Sequence, residues 1–306
     1  MNFTVKNGYK ISALTLGTVQ LGLAYGVNNS KGMPTFEESS AILDTALSGG
    51  IVSFDTARGY GESELVLRRY FEGDAREHTL ISKVFFEDVD RSGVREKLFA
   101  MTRESLERLG ISKLPFLKLH NQTMLDRYGD TLVYALQDLK REGLVDGIGV
   151  SFSDKSKLLE LTDGCGFDCI QLPANLFDSK EILDGSVKKL ADAGSVVFVR
   201  SIYLQGLFFK DTDTLPEKIK CAKAPLDQLH ALAREAGVSM AELAVTYIRD
   251  PEGIASLLLG CDTPEQLRES ISLVNAPRID PAVAAEAKRI AESVPPIVIR
   301  PWEWGK

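Results

Sequence analysis

The chain reads as an α/β protein, a (β/α)8 TIM barrel with an N-terminal β-hairpin and extra C-terminal helices. Three observations predict this. Eight short apolar runs of strand character alternate with longer segments of helical period. An Asn-Gly pair near the start separates two further strand-like runs. Polar residues stand at the carboxyl ends of six of the eight runs, where a closed barrel gathers them at one mouth.

In chain order, Phe3–Lys6 and Tyr9–Ile11 flank Asn7-Gly8, and both turn positions want positive φ. Such a hairpin could plug a barrel floor. The strand candidates are Leu14–Thr18, Ile51–Asp55, Leu80–Val84, Phe116–His120, Gly147–Ser151, Cys169–Leu172, Val196–Arg200 and Ser256–Gly260. A helix over Phe36–Ser48 follows the cap-like Pro34-Thr35, and Ser63 reads as the N-cap of a helix through Phe71. Val94–Leu109 sets Val94, Leu98, Met101, Ser105 and Leu109 on about one face. Leu132–Lys140, Lys155–Leu161 and Glu181–Ala191 follow. Leu226–Glu235 and Met240–Ile248 lie between the last two strands, Leu267–Val274 follows the eighth, and Ala282–Ala291 is extra. The alternation implies a parallel sheet with right-handed crossovers. Eight strands close a barrel, with a doubly wound open sheet as the rival. No Pro-, Gly- or Ser-rich linker divides the chain, so 1–306 reads as a single barrel domain.

The net charge of −7, without a dense basic run, argues against a nucleic acid or an anionic membrane as partner. The first ten residues lack the apolar core of a signal peptide, and no apolar run approaches the ~20 residues of a membrane span. A cytoplasmic location is the expectation. Cys165, Cys169, Cys221 and Cys261 form no C-x-x-C pair and have no neighbouring His. They read as small buried side chains, with no metal site.

The strand ends carry Asp55, Lys83, His120, Ser151, Gln171 and Arg200, and Tyr60 follows Asp55 in a Gly-flanked loop. A free phenol has a pKa near 10. An ammonium about 4 Å away, at an effective dielectric of ~20, favours phenolate by roughly 4 kcal/mol, or about three pKa units before desolvation opposes it. Lys83 supplies that charge in this reading. Asp55 holds Lys83 and keeps it protonated, and His120 donates to a substrate oxygen. No nucleophile stands beside a base, so hydrolysis fits less well than hydride transfer with protonation of the developing alkoxide. Singly, each residue has a duller reading as a loop cap, pocket wall, solvated strand end or core histidine. The four matching positions weigh against those. Gly59-Tyr60-Gly61 mimics a dinucleotide fingerprint, but Glu64 stands where its third glycine belongs.

These residues resemble the aldo-keto reductase family. Asp55-Thr56-Ala57-x-x-Tyr60-Gly61-x-Ser63-Glu64 is similar to its signature, and Ile81-Ser82-Lys83-Val84 and Leu119-His120 match its other two motifs. The resemblance runs from Leu16-Gly17-Thr18 to Gly260–Ser270, nearly the whole chain. It implies an NAD(P)(H)-dependent oxidoreductase that interconverts a carbonyl (aldehyde, ketone or sugar) and an alcohol. It casts Tyr60 as general acid/base, Lys83 and Asp55 as its tuning pair, and His120 as orienting donor. Ser151 and Gln171 match the contacts of the nicotinamide carboxamide, though Phe152 stands where an asparagine is usual. Arg200 takes the place of a stacking tyrosine. Ser201, Leu204 and Gly206 match the segment along the pyrophosphate. Gly260, Asp262, Gln266 and Ser270 fall in the stretch implied to hold the adenosine end. Asp262 would repel a 2′-phosphate but could bond a ribose hydroxyl, which favours NAD(H) over NADP(H), with Arg268 as the counterweight.

Tyr25, Phe85, Phe86, Phe177 and Tyr203 are candidate pocket walls, and the tail Pro301-Trp302-Glu303-Trp304 could fold over the mouth. Small sugars and related polyhydroxylated carbonyl compounds are the favoured substrates, by analogy. Two other classes compete. One is a cofactor-binding regulatory or accessory subunit with little turnover. The other is an aldolase or isomerase using Lys83 as a Schiff base.

Overall fold

The computed structural model describes residues 1–25 and 32–304. Among the described residues ten strands run in order: β1 (Phe3–Lys6), β2 (Tyr9–Ser12), β3 (Leu14–Gly17), β4 (Ser53–Asp55), β5 (Thr79–Val84), β6 (Leu114–Leu119), β7 (Val145–Ser151), β8 (Cys169–Pro173), β9 (Val196–Arg200) and β10 (Ser256–Leu259). Strands β3 to β10 are parallel neighbours in chain order, and β10 pairs back onto β3. That closure excludes the open sheet. β1 and β2 form the separate antiparallel hairpin, with Lys6 opposite Tyr9 and positive φ at Asn7 (53°) and Gly8 (84°).

Side chains alternate between the two faces of each strand. One set points into the barrel. Ile81, Phe116, Cys169, Val196 and Phe198 join the hairpin's Ile11 in a buried apolar plug, so the hairpin does close the floor. Hydroxyls complete that floor: Thr15 Oγ1 lies 2.7 Å from both Ser53 Oγ and Ser256 Oγ, and Ser12 Oγ lies 2.9 Å from Ser53 Oγ. Two residues onward from Ser53, Ile81, Phe116, Cys169 and Phe198 come Asp55, Lys83, Lys118, Gln171 and Arg200. The same alternation that fills the floor therefore delivers the polar mouth. The opposite strand faces, among them Leu80, Leu117, Ile148, Ile170 and Val197, pack with helix residues such as Ile42, Leu67, Leu98, Leu136 and Leu229 in the main core. Burial on both faces explains why the strands read as nearly continuous apolar runs.

The helix over Phe36–Ser48 starts in a capping box, Thr35 with Glu38, and Val94–Leu109 ends on left-handed Gly110 (φ 69°). Three expectations need correction. Ser63 is the first residue of its helix, not its cap, because its hydroxyl is turned inward to Thr18 and Thr56. Glu181–Ala191 is two helices, Lys180–Leu183 and Ser186–Asp192, parted at Gly185 (φ 84°), where Asp184 accepts from the Ser186 amide. Lys155–Leu161 shrinks to Leu158–Thr162, since Asp154 turns the chain by accepting from the Ser156 amide. All four cysteines are free; Cys169 and Cys261 are buried as expected, but Cys221 is exposed. Among the described residues, no His, Cys, Asp and Glu group could hold a metal ion, and no helix is long and apolar enough to cross a membrane.

Candidate active site

Asp55 ends β4 and is 1% exposed. Its two oxygens meet two ammoniums. Lys83 Nζ from β5 donates to Oδ1, and Lys118 Nζ from β6 donates to Oδ2 at 2.5 Å. Both lysines are fully buried. Lys83 also donates to the Thr56 carbonyl at 2.7 Å and to Tyr60 Oη at 3.4 Å. Its three N–H donors thus have three acceptors, an arrangement that suits an ammonium rather than the free amine a Schiff base needs. His120, just past β6, sets its ring edge-on to Tyr60, with centroids 5.5 Å apart. The structure therefore brings the four expected catalytic residues together.

The loop carrying Tyr60 is held from both sides. Ser63 Oγ lies 2.7 Å from Thr18 Oγ1 and 2.9 Å from Thr56 Oγ1. Buried Glu64 accepts from Ser82 Oγ at 2.8 Å and from Arg108 Nε at 3.2 Å, and Arg108 also grips the Gly61 carbonyl. Gly22 and Gly61 touch backbone to backbone: a Cβ on Gly22 would lie 2.0 Å from the Tyr60 carbonyl oxygen, and one on Gly61 would lie 2.3 Å from the Gly22 oxygen. Ser63 and Glu64, read in the sequence as motif letters, are thus the residues that position the phenol.

Burial dominates the electrostatics. Burial alone would raise the Asp55 carboxyl, but the Lys118 and Lys83 ammoniums hold it below the usual range. Burial lowers both lysines, opposed by Asp55. Burial, helped by Lys83, pushes His120 down to about 4, so its imidazole is neutral at pH 7. The Tyr60 phenol is raised, first by burial and then by Asp55, against the opposing pull of Lys118 and Arg200. The sequence-based expectation of a lowered phenol is thus reversed: desolvation outweighs the cations, and Tyr60 stays protonated through the neutral range.

On the cofactor side, Ser151 and Gln171 are buried beside one another across β7 and β8. Gln171 Oε1 accepts from Lys118. Arg200 reaches past the end of β8 to the residue after β7, donating to the Phe152 carbonyl at 2.9 Å, and also donates to Ser201 Oγ at 3.0 Å. Phe152 itself is buried. The segment after β9 bends sharply: Ser201, Leu204, Gln205 and Gly206 all have positive φ, the kind of strained backbone that clusters at ligand sites. At the opposite lip, Gln20 Oε1 is buried with no hydrogen-bond partner, and a Cβ on Gly260 would lie 2.5 Å from it. Beyond Gly260, Asp262 is exposed, and its amide donates to Gln266 Oε1 at 2.7 Å. Ser270 is buried, its hydroxyl taken by the Gln266 carbonyl. Arg268 pairs with Glu265 at 2.9 Å.

A hollow of about 470 Å³ opens beside His120, lined by Arg58, Gly59, Phe85, Lys97, Met101 and Glu104. Of the expected walls, Tyr25 and Phe85 are exposed and Tyr203 is half-buried. Phe86 and Phe177 are instead core residues, packed on Tyr128 and Phe208 because apolar partners lie behind them. In the tail, Trp304 is buried with Nε1 on the Ile297 carbonyl at 3.1 Å, whereas Trp302 is 70% exposed.

A closed parallel barrel thus gathers a buried Asp-Lys pair, a phenol and a neutral imidazole at its mouth. The chain belongs to the Aldo/keto reductase family, whose model matches residues 13–292. It is 26% identical to the oxidoreductase YqkF of Bacillus subtilis (88% of this chain, 90% of that one). It is likewise 26% identical to the NADH-specific methylglyoxal reductase of Escherichia coli (82% and 88%). The fold matches the glycerol dehydrogenase AKR11B4 of Gluconobacter oxydans with a TM-score of 0.75 at 20% identity, covering 96% of both chains.

Proposed function

We propose that this protein interconverts a small polar carbonyl compound and its alcohol, using NAD(H) in preference to NADP(H). The observation that carries the proposal is the contact set around Tyr60: Lys83 Nζ at 3.4 Å and the His120 ring edge-on at 5.5 Å. A nicotinamide dinucleotide fits the residues present. Gln20 has a buried, unpartnered carbonyl oxygen that a ribose hydroxyl would satisfy, and Gly260 lets that amide lie against its backbone, where a Cβ would sit 2.5 Å from Oε1. Ser151 and Gln171 would hold the carboxamide, Arg200 would lie against the ring, and Ser201, Leu204 and Gly206 would follow the pyrophosphate. Gly260, Asp262, Gln266 and the buried Ser270 frame the adenosine end.

When bound, a reduced nicotinamide would supply the hydride that reduces the carbonyl carbon. Tyr60 gives its proton to the carbonyl oxygen as charge develops there. The Lys83 ammonium stabilises the phenolate left behind, and Asp55 keeps that ammonium charged. His120, neutral at working pH, donates a hydrogen bond that orients the substrate oxygen without competing as an acid. The hollow beside it mixes Arg58, Lys97 and Glu104 with Phe85 and Met101, a lining suited to hydroxylated carbonyls such as short sugars. For the cofactor, Asp262 disfavours a 2′-phosphate, and Arg268 is engaged by Glu265.

The test mixes the protein with NADH or NADPH and a panel of short aldehydes, ketones and sugars. NADH consumption should be seen, with Tyr60→Phe slower by at least about a hundredfold and NADH affinity nearly unchanged. An active Tyr60→Phe protein removes Tyr60 as the acid. NADPH binding tenfold tighter than NADH at fixed salt rejects the cofactor preference. Tight cofactor binding without turnover on any substrate favours the accessory-subunit reading.

A further inference from the structure

Lys118 is fully buried in the mouth, and nothing in the mechanism above uses it. It sits between two groups that do different jobs. Its Nζ lies 2.5 Å from Asp55 Oδ2 and also donates to Gln171 Oε1, and it hangs 4.8 Å above the Phe198 ring. A buried ammonium costs several kcal/mol of desolvation, and Asp55 already has Lys83 as a partner. One carboxylate shared by two lysines leaves the cluster with an excess positive charge, beside Arg200. A structural core needs no such arrangement; Met would fill the space on the Phe198 ring without the charge.

We propose that Lys118 is a positioning residue that couples proton transfer to cofactor binding, by holding Asp55 and Gln171 at once. Two consequences follow from the contacts. First, the Oε1 of Gln171 is occupied, so Gln171 presents its NH2 group, a donor, to whatever lies above it. That fixes one orientation of a carboxamide: oxygen toward Gln171. Second, the added cation favours the phenolate of Tyr60. Removing it raises the phenol, and the half-freed Asp55 raises it further; both changes have the same sign. Alcohol oxidation, which needs the phenolate as base, is the direction most sensitive to this.

This role rests on the proposed nicotinamide chemistry, and the experiment separates the two. Wild-type, Lys118→Met and Lys118→Gln proteins are compared for NADH dissociation constant by fluorescence, for thermal midpoint, and for the pH dependence of polyol oxidation with NAD between pH 7 and 10. For Lys118→Met we expect NADH binding at least fivefold weaker. The rising limb of oxidation should move up by about one pH unit, read as tenfold slower turnover at each pH on that limb. Lys118→Gln loses the charge but keeps a donor for Gln171. It should show the displaced limb with near wild-type NADH affinity, and it serves as the folded variant if Met does not fold. A purely structural lysine would move the midpoint and leave the limb and the affinity ratio alone; that result overturns the role while leaving the function intact. If the wild type binds NADH but oxidises no polyol in the panel, the dissociation constants decide. If it binds neither NADH nor NADPH, the proposed function falls and this role with it.

Discussion

Asp55 carries one charge and faces two, and that imbalance adds to burial in shifting the titrating groups nearby. Lys83, Arg200 and Lys118 all act to keep His120 neutral, burial being the larger cause. The consequence is measurable as stability. The unfolded chain's imidazole titrates near 6.5, whereas the folded one is pushed down to about 4. Between those values the unfolded state binds the extra proton, so stability is intact above about pH 6.5 and declines as pH falls toward 4. Two units of that window correspond to about 2–3 kcal/mol. Unfolding free energies from urea titrations at pH 6.5 and 4.5 should therefore differ by that amount more in the wild type than in His120→Asn. Equal acid losses in the two proteins would show that His120 titrates normally.

Individual elements explain both what was readable and what was hidden. The eight barrel strands stood out because each is buried on both faces and bounded by helical period, and Asn7-Gly8 announced its turn through backbone freedom alone. Asp55, Lys83 and His120 were legible because they end such runs. Lys118 was not, although it lies two residues before His120 on the same strand face. Its reason for being there is a carboxylate 63 positions away, and no local pattern carries that. Burial also hid the sign of the Tyr60 shift, since a sequence supplies charges but not desolvation. Ser63 was misread for a related reason: a hydroxyl at a helix start looks like a cap until a neighbouring strand offers Thr18. The loop it belongs to makes a sharp prediction. Gly22→Ala places a methyl 2.0 Å from the Tyr60 carbonyl and 2.3 Å from the Ser63 amide, so the βα loops after β3 and β4 must part. The expected cost is about 1–3 kcal/mol in urea unfolding. Turnover should fall at least about tenfold, since small displacements of a reacting group are expensive. An alanine variant with wild-type turnover would mean the two loops do not need their backbone contact.

At the scale of the molecule, the barrel divides its two ends between two tasks. The floor holds the hydroxyl ring of Ser12, Thr15, Ser53 and Ser256 and the plug around Ile11, all satisfied or apolar. The mouth holds buried charge, strained backbone after β9 and an unpartnered Gln20 carbonyl. Stability should therefore be concentrated at the floor and function at the mouth, as the active-site placement in such barrels leads one to expect. Ile11 tests the division because it enters from the hairpin, outside the barrel strands, and is fully buried. Ile11→Ala removes three carbons from a site ringed by Ile81, Phe116 and Phe198, side chains anchored on three different strands that cannot close in together. The cost should be about 2–5 kcal/mol. The same variant, assayed while still folded, should keep its NADH dissociation constant and turnover within about twofold, because the residues between the plug and the mouth belong to the hydrogen-bonded strands themselves and fix Asp55 and Lys83 independently of the hairpin. A stable Ile11→Ala protein would mean the hairpin merely covers the floor. A stability loss accompanied by an equal collapse of turnover in the folded protein would mean that plug and mouth form one cooperative unit, and that the shared Asp55 network is held from below as well as from its sides.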